Sequence, residues 1–131
     1  QRGRSELIHE CEEYGSLLLD CAHNLDGIKV LINSLEGLKL HIVFGTVSDK
    51  DPSEILALIP QNSTMYFCSA DIPRSMEVDQ LLEYGQTLGL NCKSFDSVAE
   101  AVFAARKATH KCEGEQALVC GSVFVVGEAI Q

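Results

Sequence analysis

The sequence contains neither a G-x-x-x-x-G-K-[ST] nor a G-x-G-x-x-G motif. It therefore lacks the glycine-rich loops with which proteins commonly cradle a triphosphate or a dinucleotide. Its six cysteines form no CxxC pair, which excludes the usual zinc spacings. A hydrolase nucleophile elbow and a cluster of metal ligands are also missing from the sequence. The chain brings no triphosphate-binding apparatus of its own, and we assign it no metal site.

Basic charge and long apolar runs are scarce as well. Ten Lys and Arg against nineteen Asp and Glu give a net charge of −9, which excludes a general nucleic-acid binder. The net negative charge does not exclude a small anionic ligand, because a few local hydrogen-bond donors can outweigh the average potential of the chain. No run is long enough to span a bilayer, and no apolar signal segment follows Gln1. We expect a cytoplasmic protein with reduced cysteines and without a membrane or nucleic-acid partner.

Short apolar runs alternate with segments of helical period along the chain. Strands are predicted at 16–20, 40–44, 64–68, 91–95 and 116–120. This alternation predicts an α/β fold: a three-layer, Rossmann-like domain with a mostly parallel sheet of about six strands. Residues 4–11 are a candidate for an antiparallel edge strand. Without repeats or a linker, residues 1–131 are expected to form one domain.

Polar side chains concentrate where the predicted strands end. In an open parallel sheet, ligands bind beyond the carboxyl ends of the strands. Those ends are 20–24, 45–51, 69–74 and 121–122. Helix N-termini at such loops present unpaired N–H groups that suit phosphate or carboxylate. We therefore expect the functional site at this edge.

The first of these loops, Asp20 to Asn24, carries three candidate residues. Asp20 is an acceptor for ribose hydroxyls, a ligand to a phosphate-bound metal, or a helix-capping or turn acid. His23 can donate to a phosphate or offset developing negative charge. A lone His is more often structural, and His9, His41 and His110 are assigned to that class. Asn24 follows His23 at the helix start.

The other three loops carry one candidate each. Lys50 can hold a carboxylate or phosphate, whereas Asp51 is expected to cap the helix that Pro52 begins. Arg74 is either a bidentate carboxylate clamp or a solvated surface residue. Ser122 can bind an anion through its hydroxyl, or it is an N-cap.

Taken in order, these motifs resemble the C-terminal domain of the folylpolyglutamate synthase/dihydrofolate synthase family, within the Mur-ligase superfamily. Each piece is weak alone, but the ordered set covers nearly the whole chain and is specific. Cys21 departs from the family, which usually has Gly or Val there. The matching pieces are Gly3-Arg4, Leu18 to Asn24 with Asp26-Gly27, Val43-Phe44-Gly45, Asp49-Lys50-Asp51, Pro73-Arg74, Val98 to Ala101, Val119 to Ser122 and Val126-Gly127-Glu128.

The resemblance implies an ATP-dependent amide ligase that adds L-glutamate to folate, or to dihydropteroate, through an acyl phosphate. ATP and Mg²⁺ would be bound mainly by a central P-loop ATPase domain, which this chain lacks. The domain is therefore expected to be inactive alone, because phosphoryl transfer depends on positioning and charge neutralisation by the missing parts. By analogy, Arg4, Asp20 and Asn24 would contact the nucleotide. His23 would lie near the transferred phosphoryl group. Lys50, Arg74 and Ser122 would bind the incoming glutamate or phosphates.

Two other interpretations remain open. The chain is alternatively a stand-alone α/β binding or regulatory module that kept the fold without ligase activity. A cell-wall amino-acid ligase of the Mur type is disfavoured by the Asp-x-Ala-His-Asn and Asp-Lys-Asp motifs, which look folate-type. A P-loop domain encoded in frame upstream would decide between the ligase and the stand-alone module.

Overall fold

The computed structural model describes residues 6–130, in which six strands and five helices alternate. In chain order they are β1 (Glu6–Ile8), β2 (Leu17–Leu19), α1 (Leu25–Ser34), β3 (Lys39–Phe44), α2 (Ser53–Ala57), β4 (Thr64–Phe67), α3 (Val78–Thr87), β5 (Asn91–Ser94), α4 (Val98–Thr109), β6 (Glu115–Cys120) and α5 (Val123–Ala129). None of these helices has the length and apolar character of a membrane span.

The strands form one sheet in the order β1-β2-β6-β3-β4-β5. Only β1 runs antiparallel, pairing with β2, and the remaining neighbours are parallel. The predicted α/β class and the mostly parallel six-stranded sheet are confirmed, and so is the antiparallel edge strand. Because β6 lies between β2 and β3, the loops that follow these three strands meet at one edge.

Both faces of the sheet are covered, as their apolar composition predicts. Along β3, Leu40, Ile42 and Phe44 point to the face packed by α1, α2 and α3. Val43 points to the opposite face, which α4 and α5 cover. Because apolar side chains are packed on both faces, the sheet fixes the positions of the strand ends from which the edge loops begin.

Helix starts follow the predicted capping chemistry with one difference. The Ser97 hydroxyl accepts the N–H of Glu100 at 3.1 Å at the start of α4, as its Ser-x-x-Glu pattern predicts. Helix α2 begins at Ser53, one residue later than Pro52 was expected to begin it. The Asp51 carboxylate accepts the Ser53 N–H at 2.9 Å, so that a side-chain turn precedes the helix.

His41 lies in a buried hydrogen-bond network away from the edge loops. Its Nδ1 lies 2.7 Å from the Tyr66 hydroxyl and its Nε2 lies 2.6 Å from Glu115 Oε1. Burial, and then the nearby Glu115 charge, raise the pKa of Tyr66. These bonds satisfy both ring nitrogens of His41, which agrees with the structural role assigned to it from the sequence.

The six cysteines are all free, and they differ widely in exposure. Burial raises the pKa of Cys68 and of Cys120 to about 12, with smaller contributions from the charges of Glu128 and Asp20 respectively. Because the thiolate is the reactive form, these two thiols should be inert in the folded chain.

We expect 5,5′-dithiobis(2-nitrobenzoate) to label the exposed Cys11 rapidly, and Cys68 and Cys120 only after unfolding in denaturant. Peptide mass spectrometry of the labelled chain identifies which thiols reacted. Rapid labelling of Cys120 in the native chain would contradict the burial of its side chain beneath the sheet edge.

Candidate functional site

Four strand-end loops lie side by side at the carboxyl edge of the sheet, and backbone hydrogen bonds tie them together. The Gly121 N–H donates to the Ala22 carbonyl at 2.9 Å, which joins the loop after β6 to the loop after β2. The Ser48 N–H donates to the Arg74 carbonyl at 2.6 Å, which joins the loops after β3 and β4. The loops therefore form one continuous surface.

Two adjoining clefts open on this surface, and every predicted site residue within residues 6–130 lines one of them. We call them the Asp20 cleft, of about 580 Å³, and the Arg74 cleft, of about 170 Å³. The Asp20 cleft is lined by Asp20, Cys21, Ala22, His23, Asn24, Gly27, Val30, Leu31, Ser34 and Val123. The Arg74 cleft is lined by His23, Thr46, Val47, Lys50, Arg74, Gly121, Ser122, Val123 and Phe124. Arg4 lies outside the described residues.

Asp20 combines a turn with a place on the cleft wall. It follows β2 directly and is only 9% exposed. Its Oδ1 accepts the Ala22 N–H at 2.8 Å, which closes the turn and fixes the carboxylate at the cleft. The structure thus supports the turn reading and leaves the carboxylate beside space that can hold a ligand.

Asn24 is the N-cap of α1. Its Oδ1 accepts the Gly27 N–H at 2.8 Å, and its extended backbone is usual for this position. Because the cap engages Oδ1, a ligand contact from Asn24 would come from its Nδ2 amide. The cap also places the N-terminus of the ten-residue α1 beside the Asp20 cleft.

His23 lines both clefts and has a defined tautomer. Its exposed ring places Nδ1 3.0 Å from the Cys21 carbonyl oxygen. Because a carbonyl oxygen only accepts, Nδ1 carries a proton. Nε2 is then an acceptor in the neutral ring and a donor in the charged ring. The Cys21 carbonyl thereby orients the group that stands between the two clefts.

Lys50 and Arg74 bring positive charge to the Arg74 cleft. Both are exposed, and Arg74 Nη2 lies 3.5 Å from Asp49 Oδ1 in an ion pair whose members are 61% and 69% exposed. Such a pair is weak, so an anionic ligand can displace Asp49 at little cost.

The Ser53 backbone N–H and hydroxyl hold the pKa of Asp51 below its usual range, which keeps Asp51 charged and engaged at the start of α2.

Ser122 is buried at the junction of β6 and α5. Its Oγ accepts the Phe124 N–H at 3.1 Å, so the N-cap reading is the one the structure shows. The hydroxyl proton remains a donor for a ligand in the Arg74 cleft, because capping uses only the oxygen lone pair.

Several lining residues were not singled out in the sequence, among them Val30, Thr46, Val123 and Phe124. Val123 and Phe124 are 50% and 42% exposed although they lie in an apolar helix. The short Val-Phe-Val-Val run has no polar face, so periodicity does not separate its inner side from its outer side. Thr46, 7% exposed, was included in its loop but not singled out.

A metal ion is a poor fit for the described part of this chain by itself. Within residues 6–130, no group of three or more His, Cys, Asp or Glu side chains is close enough to hold one. The Arg74 cleft instead suits an organic anion, since cationic and hydroxyl donors line it.

The family model described as "Mur ligase, glutamate ligase domain" matches residues 3–123. The chain belongs to this family. A curated relative, the probable bifunctional folylpolyglutamate synthase/dihydropteroate synthase of Haloferax volcanii, is 30% identical over 118 residues. That match covers 87% of this chain and 14% of the relative.

Solved structures of folylpolyglutamate synthases share the fold. Escherichia coli FolC, in complex with DHPP and ADP, is 31% identical with a TM-score of 0.78, and the match covers 99% of this chain and 30% of that one. The Mycobacterium tuberculosis enzyme, complexed with ADP and AMPPCP, has a TM-score of 0.82 at 23% identity, covering 98% and 31%. This Mur ligase chain corresponds to their C-terminal domain, as the ordered motifs predicted, and spans less than a third of each.

Proposed function

We propose that this chain, as one domain over residues 1–131, is the substrate- and nucleotide-closing part of an ATP-dependent ligase that adds L-glutamate to folate or dihydropteroate. The observation that carries the proposal is the convergence of His23, Lys50, Arg74 and Ser122 on one small cleft beside the Asp20 cleft. The relatives described above are folate enzymes, which favours folate over a cell-wall substrate. Their full activity belongs to much longer chains, so we use the term complete ligase for this chain joined to a central P-loop ATPase domain.

The Asp20 cleft fits a nucleotide. A carboxylate and a helix N-terminus line this cleft, and the exposed Val30 and Val123 add apolar surface for a base. Asp20 would accept from ribose hydroxyls, and the Asn24 amide would add a polar contact. Arg4 is proposed as a further nucleotide contact from the family resemblance alone. ATP held jointly by this cleft and the central domain would supply the phosphoryl group that activates the folate carboxylate.

The Arg74 cleft fits the incoming glutamate. Lys50 and Arg74 are cations that can each hold a carboxylate, and the Ser122 hydroxyl can donate a further hydrogen bond. This local positive charge is needed because the chain as a whole carries −9. Held there, the glutamate amine would be oriented for attack on the activated carboxyl carbon.

His23 lies where the two proposed ligands would meet, since it lines both clefts. In its charged form both ring nitrogens donate, and Nδ1 is already engaged by the Cys21 carbonyl. Nε2 can then offset the negative charge that develops on the transferred phosphoryl group. In the neutral ring, Nε2 can accept a proton.

The remaining requirements fall to the central domain. Mg²⁺ would be held there, because the described part of this chain lacks a set of metal ligands. A cytoplasmic location, where ATP and reduced thiols coexist, suits both the substrates and the free cysteines.

The proposal predicts that the complete ligase forms ADP in repeated turnovers only when ATP, folate substrate and L-glutamate are all present. The 131-residue chain alone should form none, because the triphosphate-binding loop is not in it. Coupled detection of ADP, with the product identified by mass spectrometry, checks both statements. ADP formation by a clean preparation of the chain alone would contradict the assignment of triphosphate binding to the central domain. A complete protein that binds ATP but never forms a glutamyl product would favour a binding module.

A further inference from the structure

One side chain outside both clefts joins the two elements that frame the Arg74 cleft. Glu128, on the last turn of α5, accepts the Asp71 N–H through its Oε2 at 2.6 Å, across 57 residues of chain. Helix α5 starts beside Ser122, and Asp71 belongs to the loop that carries Arg74. Within the described residues, Glu128 belongs to neither cleft lining.

The Arg74 loop is held from the β3 side by backbone bonds. Ser48 donates to the Arg74 carbonyl at 2.6 Å, and Met76 donates to the Thr46 carbonyl at 2.9 Å. Two hydroxyls close the loop on itself, as Ser69 donates to the Met76 carbonyl and Ser75 to the Ala70 carbonyl, both at 2.6 Å. From the α5 side, Ala70 and Ile72 pack in the same apolar cluster as Val125 and Val126, and the Glu128 bond adds a hydrogen bond to the loop.

The strength of this contact comes from its charge. A carboxylate that accepts from a backbone N–H makes a shorter and stronger bond than a neutral acceptor. The carboxylate also lies close enough to Cys68, at the end of β4, to contribute to the raised pKa of its thiol. Glu128 thus contacts the start of the loop, at Asp71, ahead of Arg74 in the same loop.

We propose that Glu128 is a positioning residue for Arg74: through the Asp71 amide, it sets the distance between the Arg74 loop and the Ser122 end of α5. This rests on the proposed function, in which Arg74 and Ser122 bind the same glutamate. Glu128 does not touch that substrate. Its removal should therefore weaken glutamate binding without a matching loss of chemistry.

The first test compares Glu128→Ala, Glu128→Gln and Glu113→Ala in the complete ligase. Glu128→Ala should raise the KM for L-glutamate about five-fold and leave kcat within about two-fold, since one charged hydrogen bond is lost and the other loop contacts remain. Glu128→Gln should recover most of the affinity, because its amide oxygen still accepts. Glu113, exposed ahead of β6, is a matched control that should have no effect.

Amide hydrogen exchange on the 131-residue chain provides a readout that does not depend on activity. Glu128→Ala should speed exchange of the Asp71 amide by about ten-fold and leave the amides of β3 and β6 unchanged. Unchanged exchange at Asp71 would overturn the contact itself. Faster exchange throughout the chain would show a general structural role and would equally overturn the proposal.

A double-mutant cycle separates this inference from the proposed function. If Glu128 acts through Arg74, Glu128→Ala should add nothing to the KM effect of Arg74→Ala. If the effects of the two substitutions on the KM add fully, Glu128 does not act through Arg74. The same holds if Glu128→Ala leaves the KM unchanged while Arg74→Ala raises it. Either result overturns the role of Glu128 and leaves the assignment of the Arg74 cleft to glutamate intact. If Arg74→Ala leaves the KM for glutamate unchanged, the assignment of the Arg74 cleft to glutamate fails.

Discussion

Replacing His23 by alanine in the complete ligase is expected to lower kcat by about 10²- to 10³-fold, the range found when one donor to developing negative charge is removed. The fold should survive, because the ring is exposed and, within residues 6–130, makes a single hydrogen bond, to the Cys21 carbonyl. The free energy of unfolding should change by less than about 1 kcal/mol. Glutamate-dependent ADP release measures kcat, and urea unfolding followed by circular dichroism measures the free energy of unfolding.

A matched control is available in His9, an exposed histidine at the end of β1 and distant in the sheet from the Arg74 loop. His9→Ala should keep full activity. A His23→Ala enzyme that turns over at the normal rate would remove His23 from the chemistry and leave both clefts as binding surfaces only.

Gly121→Ala is expected to cost about 3 kcal/mol of folding stability, a large effect for the addition of one methyl group. Gly121 has φ of +104°, and an added Cβ would lie 2.7 Å from Phe44 Cε2 and 2.8 Å from the Gly45 carbonyl oxygen. Two costs therefore add: a backbone conformation unfavourable for alanine, and a clash with buried atoms that cannot easily move. The midpoint of urea unfolding measures the loss.

Gly114→Ala isolates the first of these costs. Gly114 also has a positive φ, +78°, but nothing lies within 4 Å of an added Cβ. This variant should lose only about 1 kcal/mol. If the two variants lose the same folding stability, the clash with Phe44 and Gly45 does not contribute to the loss in Gly121→Ala. The packing described for this edge would then be wrong.

The fold was predictable because its strands carry strong local signals. Apolar runs ended by Asp20 and Gly45 mark parallel strands that are buried on both faces. Helix starts at Asn24 and Ser97 follow from side-chain chemistry within four residues of the chain. What such signals do not contain is strand order, so the place of β6 between β2 and β3 came from the structure.

The candidate residues were predictable as a set, but the geometry between them was not. The rule that ligands bind beyond strand ends selected Asp20, His23, Lys50, Arg74 and Ser122. Long-range contacts have no local signature, so neither the Asp49–Arg74 ion pair nor the Glu128–Asp71 bond could be predicted from the sequence. The exposure of Phe124 was missed for the same reason, since it depends on how α5 packs.

The position of β6 also has a consequence for how the chain acquires its structure. Strands β1 and β2 connect to β3, β4 and β5 only through β6, the last of the described strands to be synthesised. Until residues 115–120 leave the ribosome, the chain holds two separate half-sheets with unpaired edges. Neither cleft can form in that interval, because the loops after β2 and β3 are not yet neighbours. Closure of the sheet and assembly of the site are therefore a single, late event, and a nascent chain that ends before residue 115 should be prone to aggregation and in need of a chaperone.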